Sequence, residues 1–416
     1  MSWVLRLASL SAVLCAATPR EGIRLSAPGP VTEEDVRRLC LLAGVGPDAS
    51  DRARELLIAH QQATSQEWGR VRADLDSLSS ELAQIGDAAH RESEVAEVWA
   101  SGFAARRELA AQMFSLQDRY FQRWLADESN VGLSEVAPKL QHRWRRWQST
   151  TPRSMVPGGD LQLDIFILDT LAPPLFDGQG PELRELLEQY ESDCGDLHRR
   201  RSAARLEAES AAPAVFALQF DAATPEKQAS AALRFRELGR PAADLDRLLA
   251  TRNLDALEGF AAALASAGAP ESASALTDAY LAKVFPKIHP DPTDPRSIVE
   301  AWLDEHSGSA SEIANGRALL LASIQQRAEI CQSMRRALVD YSHRLAVTRS
   351  LQEADQPRHE ETMKRLAAQR VALTVALRDA LAPDMPAEVV AAIDRLIPKE
   401  RGTETPAQPG GGARTR

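Results

Sequence analysis

Large apolar residues recur along this chain at alternating intervals of three and four, and that spacing constrains the fold more than any other feature. Between Asp51 and Ile85 it is followed by Trp68, Val71, Leu75, Leu78, Leu82 and Ile85. Between Glu92 and Leu125 it is followed by Leu109, Met113, Leu116, Tyr120 and Trp124. On a helix of 3.6 residues per turn such positions form one stripe, the seam along which two helices pack. Gly86-Asp87 separates the two stretches, so they are expected to fold back as an antiparallel hairpin. A third stripe holds Leu183, Leu187, Tyr190, Cys194 and Leu197, with Arg199, Arg200 and Arg201 placed on the polar side. A fourth runs through Leu320, Ile324, Cys331, Met334, Leu338, Tyr341 and Leu345, and Met363, Leu366, Leu373 and Leu377 offer it a partner beyond the Gln356-Pro357 break. Aromatic residues make up only 5% of the chain, which disfavours sheet. The predicted fold is all-α: long antiparallel helical hairpins with coiled-coil-like seams, plus short helices.

Prolines and glycines divide this helical material. Residues 1–17 read as a secretory signal peptide, with Arg6 before an apolar run from Leu7 to Leu14 and small residues around a cut after Ala17. Residues 18–31 read as an extended linker, after which Thr32 is placed to cap a helix with Asp35 three residues on. A first hairpin unit is assigned to 32–152. A second unit, 157–285, opens at Pro157-Gly158-Gly159 and has a short apolar helix through Leu161, Ile165 and Leu168. A long helix follows from Gly180-Pro181, and another start stands at Thr224-Pro225-Glu226. Beyond it, short helices are expected over Lys227–Leu238, Ala242–Ala250, Leu254–Ala265 and Glu271–Val284, bounded by Gly, Pro or Asn. Pro286, Pro290, Pro292 and Pro295 interrupt any helix between 285 and 297, the clearest internal boundary. A third hairpin unit takes 286–398, closing with a helix from Pro386 to Ile397, and 399–416 is expected to be a disordered tail. The segments RELLIAHQQ from Arg54, RELLEQYES from Arg184 and RRALVDYSH from Arg335 align weakly. Triplication of one hairpin explains them, and so does shared coiled-coil composition.

A formal net charge of −10 does not build the positive field of a nonspecific nucleic-acid binder. Cys15, Cys40, Cys194 and Cys331 are scattered singly, without the paired spacing of a zinc or redox site. Phosphate-loop, zinc-protease, nucleophile-elbow and EF-hand patterns are absent, so no cofactor is expected and a non-enzymatic role is favoured. His289, Asp291 and Asp294 are residue types that ligate a divalent cation. Their proline-rich backbone favours a solvated loop in which Asp294 caps the next helix, and no metal ligand is assigned. The most distinctive segment is His142-Arg143-Trp144-Arg145-Arg146-Trp147. Arginine stacks on tryptophan and grips phosphate in a fork, so the segment suits an anionic lipid, a polyanion or an acidic partner. Helical spacing supports a second reading, in which Trp144 and Trp147 face the core and the arginines stay wet. The candidate partner-binding residues are Tyr120, Trp124, Arg143, Trp144, Arg145, Arg146 and Trp147.

Leu116-Gln117-Asp118 and Leu381-Ala382-Pro383-Asp384 are degenerate relatives of a leucine-threonine-x-x-glutamine signature. With its export signal, hairpins and Arg-rich outer faces, the chain resembles the periplasmic Spy/CpxP-type proteins. The intact signature is missing and the chain is far longer than one such unit. The resemblance implies a helical envelope protein acting as an ATP-independent chaperone or stress sensor, and it transfers no residue role. The expected function is therefore that of an exported, periplasmic or secreted helical protein binding protein partners or client chains, with no transmembrane segment after the N-terminus. The alternatives are a cytosolic, self-associating coiled-coil scaffold and an all-helical enzyme with a dispersed site.

Overall fold

The computed structural model describes residues 31–87, 92–127, 133–148, 154, 156–171, 180–220, 225–305, 309–348 and 355–398. The expected signal peptide, nearly all of the linker and the tail lie outside these residues. Among the described residues the regular elements are all helices: α1 (Glu33–Ala43), α2 (Pro47–Asp87), α3 (Glu92–Leu125), α4 (Leu133–Gln148), α5 (Leu163–Thr170), α6 (Gly180–Phe220), α7 (Pro225–Ser266), α8 (Pro270–Val284), α9 (Arg296–Glu305), α10 (Ala310–Thr348), α11 (Asp355–Leu381) and α12 (Ala387–Asp394). The chain is all-α.

Two compact units emerge: Met1–Phe285 with Leu338–Asp355, and Pro286–Ala337 with Gln356–Arg416. The proline-rich stretch contains the first boundary. Helices α1 to α8 belong to the first unit, and α10 contributes to both.

In the first unit α1 starts where its sequence provides a reciprocal cap. The Asp35 backbone N–H donates to the Thr32 hydroxyl while the Thr32 N–H donates to the Asp35 carboxylate, satisfying amides that the first turn leaves open. It ends at Gly44, whose φ of 73° belongs to the left-handed region that glycine enters without a Cβ penalty. Helices α2 and α3 pack with residue numbers running in opposite directions: Arg52 pairs with Asp127, Glu67 with Arg119, and Val71 and Leu75 cluster with Met113. The seam between them is thus closed within the chain, antiparallel.

Helix α7 differs from its predicted form. The short helices expected over Lys227–Leu238, Ala242–Ala250 and Leu254–Ala265 are one helix of 42 residues with Pro241 inside it. Proline removes one backbone hydrogen bond and crowds the preceding turn, but Ala242, Ala243, Asp246, Leu249, Ala250 and Asn253 beyond it are all buried, and that packing carries the helix through. Asn253, which read as a boundary, turns its amide into the core instead of onto its own backbone.

The second unit gathers α9, most of α10, α11 and α12 around Val299, Trp302, Leu303, Leu320, Leu377, Leu381, Met385 and Ile393. At Gly316 a Cβ would lie 2.7 Å from Leu303 Cδ2, so the tip of the buried Leu303 side chain packs directly on the α10 backbone there.

Candidate functional site

The aromatic and arginine residues singled out from the sequence are brought together, but inward. Tyr120, Trp124 and Trp144 are buried with Phe121 among α1 to α4. The Phe121 and Trp144 rings stack at 4.6 Å between centroids, and Tyr120 lies 6.2 Å from Trp144. The polar edges are bonded inside: Tyr120 donates its hydroxyl to the Ala53 carbonyl at 3.1 Å, and Trp144 Nε1 donates to Asp118 at 2.7 Å. Burial drives the Tyr120 phenol far above its ordinary pKa, so it stays protonated and serves as a donor.

Arg143 departs from the expectation that the arginines stay wet. It is 3% exposed, 3.9 Å from the fully buried Asp164 of α5. Arg145 is exposed as predicted, and the side chains of Arg146 and Trp147 lie outside the described residues. Beside Arg143 is a crevice of about 10 Å³, lined by Arg38, Leu39, Gln162 and Ile165 among others. That is room for one water rather than for a substrate.

Helix α6 carries a second polar seam. Tyr190 donates to Asn253 Oδ1 at 2.7 Å, and Asn253 Nδ2 in turn donates to the carbonyls of Gly158 and Leu161. The Leu163 amide donates to the Tyr190 hydroxyl. These bonds clamp the 156–162 loop onto the α6–α7 pair, and the fit is tight: a Cβ at Gly159 would lie 2.7 Å from the Asp246 carbonyl oxygen. About three to four turns further along α6 from Tyr190, Arg201 and Arg205 both pair with Asp246. Arg201 is therefore core, not polar face, with 2% exposure. At the outer edge of the same helix His142 Nε2 meets the Glu191 carboxylate at 3.0 Å.

The loop that carries His289, Asp291 and Asp294 has its own use for those side chains. Arg327 of α10 donates to Asp291 Oδ2 at 2.6 Å and to the Thr293 hydroxyl, while Arg370 of α11 lies 3.5 Å from Asp291 Oδ1. Burial would raise the Asp291 pKa, but the Thr293 amide and hydroxyl together with Arg327 and Arg370 hold it below the usual carboxylate value. Both Asp291 oxygens are thus committed to guanidinium groups. Asp294 accepts from the Arg296 amide at the start of α9, the capping role expected of it. Among the described residues no group of three His, Cys, Asp or Glu side chains is arranged to hold a metal.

Arg201 reads as polar face in the sequence and Arg327 and Arg370 carry no assignment there, although the spacing places all three in the core. Each occupies the next position of an apolar stripe: Arg201 follows Leu197, Arg327 stands between Ile324 and Cys331, and Arg370 stands between Leu366 and Leu373. All three are buried. Cys40, Cys194 and Cys331 are buried, and burial raises the Cys40 thiol pKa to about 11, so it is no nucleophile at neutral pH. No described helix is long and apolar enough to cross a membrane. No family model, curated protein or solved structure matches the chain.

Proposed function

We propose that this chain is a non-enzymatic, exported helical protein of the cell envelope that works through the outer surfaces of its helices, binding partner or client chains in a chaperone-like manner. The observation that carries the reading is the division between inside and outside. The buried aromatic and ionisable groups of the sites above join helices, while leucines stand in solvent on long helices, Leu321 at 60% and Leu233 at 53% exposure. Such residues give an unfolded client apolar contact area without a formed pocket.

The self-associating scaffold is less well supported, because the α2–α3 seam it would share between chains is filled by Val71, Leu75 and Met113 of one chain. The test is light scattering from a thermally aggregating client with and without the purified protein. Suppression near equimolar ratio is expected, weakened in the double variant Leu233→Ser, Leu321→Ser. No suppression at tenfold excess would sink the chaperone version. Recovery of an uncut chain from the cytosolic fraction of the native host would sink the envelope assignment.

A further inference from the structure

The 286–295 loop is fastened to α10 and α11 by groups of nearly fixed charge, with one exception. Its partners there are the guanidinium groups of Arg327, Arg335 and Arg370, a side-chain type of fixed charge in proteins, and Asp291 is held ionised by its partners. His289 is the member whose charge changes under mild acid. Its Nε2 lies 3.0 Å from Arg335 Nη1. A guanidinium only donates, so the imidazole is the acceptor and Nε2 carries no proton.

The charged groups facing His289 come from three elements: Arg335 on α10, Arg370 on α11 and Asp291 on its own loop. Arg327 and Asp294 complete the cluster. A proton on Nε2 would set donor against donor and add a cation where three arginines already face two aspartates.

We propose that His289 is an acid-released latch, whose protonation breaks the contact with Arg335 and frees the 286–295 loop from α10 and α11. Solvent supplies the proton, and the only covalent change is the new N–H. The loop is worth holding: Ile288 is fully buried and its carbonyl accepts from Arg370, while Thr374 donates to the Thr293 carbonyl at 2.6 Å. Burial first, then the charges of Arg335 and Arg370, hold the imidazole to about 4 in the closed loop. In an open loop it returns to roughly 6.5. The open form therefore binds more protons between these values, and its population rises as pH falls across that interval, on the order of a hundredfold in all. The latch does not depend on the partner-binding reading, and either can fail without the other.

Amide hydrogen exchange of the full chain, corrected for intrinsic rates, reads the latch directly. In the wild type, peptides covering 286–295 are expected to be protected at pH 7 and to open on the order of a hundredfold more at pH 4. His289→Gln keeps an acceptor for Arg335 but cannot charge, so its protection should change less than tenfold over the same range. Arg335→Gln, which offers a charged imidazole an oxygen, should blunt the acid step as well and covers the case in which His289→Gln does not fold at pH 7. Protection unchanged in the wild type at pH 4, or the full acid step in whichever of the two variants folds, overturns the proposal.

Discussion

Helices α1 to α4 close on aromatic rings, whereas α10, α11 and the 286–295 loop close on guanidinium groups. The first arrangement gains mainly from area removed from water and from ring contacts, with the buried Arg143–Asp164 pair at its edge and His60 against Tyr120, where burial holds the imidazole below its ordinary pKa. The second buries Arg327 and Arg370 against Asp291 and is favourable only while every charge keeps its partner. Similar helical sequence has thus produced one core held mainly by apolar burial and one that also depends on a buried cluster of charges. The α6–α7 pair lies between these extremes, with Asp246 between two arginines and Asn253 in a neutral network.

The sharpest way to break this comparison is to remove the centre of each core. Asp291→Ala leaves two buried cations facing each other and should cost about 3–5 kcal/mol. Its effect should appear in exchange of α10 and α11 amides and leave α3 unchanged. Trp144→Ala should also cost about 3–5 kcal/mol, seen instead as a lower melting transition with α1 to α4 destabilised. If Trp144 were a surface contact, the transition would stay in place and only partner binding would weaken. Asn253→Ala removes the donor to the Gly158 and Leu161 carbonyls and one acceptor of the Tyr190 hydroxyl, and a loss of about 2–3 kcal/mol in urea unfolding is expected.

Acid sharpens the contrast further. The His289 pKa is lower in the folded protein than in the unfolded one, so the unfolded state binds the extra proton first. Through His289, stability of the second unit should then fall by about 2 kcal/mol as pH drops from roughly 6.5 to about 4, after allowing for partial exposure, and the Asp291 contribution is lost in turn as still lower pH protonates that carboxylate. The smallest effect belongs to the surface: Leu321→Ser should change stability by less than about 0.5 kcal/mol, whatever it does to client binding.

Much of the helical layout was legible in the residues. The α3 helix spans the predicted Glu92–Leu125, and the Thr32–Asp35 cap forms as its spacing suggests. These are local signals, set by periodicity and by groups three residues apart. What escaped depends on partners distant in sequence. Pro241 and Asn253 carry the local chemistry of helix breakers, and only packing on α6 overrides it. Arg143 lies three residues after Leu140 and beside Trp144, on the buried stripe, but its counter-charge is Asp164 of another helix. The His289, Asp291 and Asp294 cluster read as a solvated loop because Arg327 and Arg370, which enclose Asp291 and supply the positive charge, come from α10 and α11.

The most direct test of the two-core contrast is peptide-resolved hydrogen exchange of the wild-type chain at pH 7 and pH 4.5, comparing opening free energies of α3 and α4 with those of α10 and α11. The expected result is that α10 and α11 lose more protection in acid than α3 and α4. Equal losses in both regions, or loss in α3 and α4 first, would contradict the distinction between an aromatic core and a charged one.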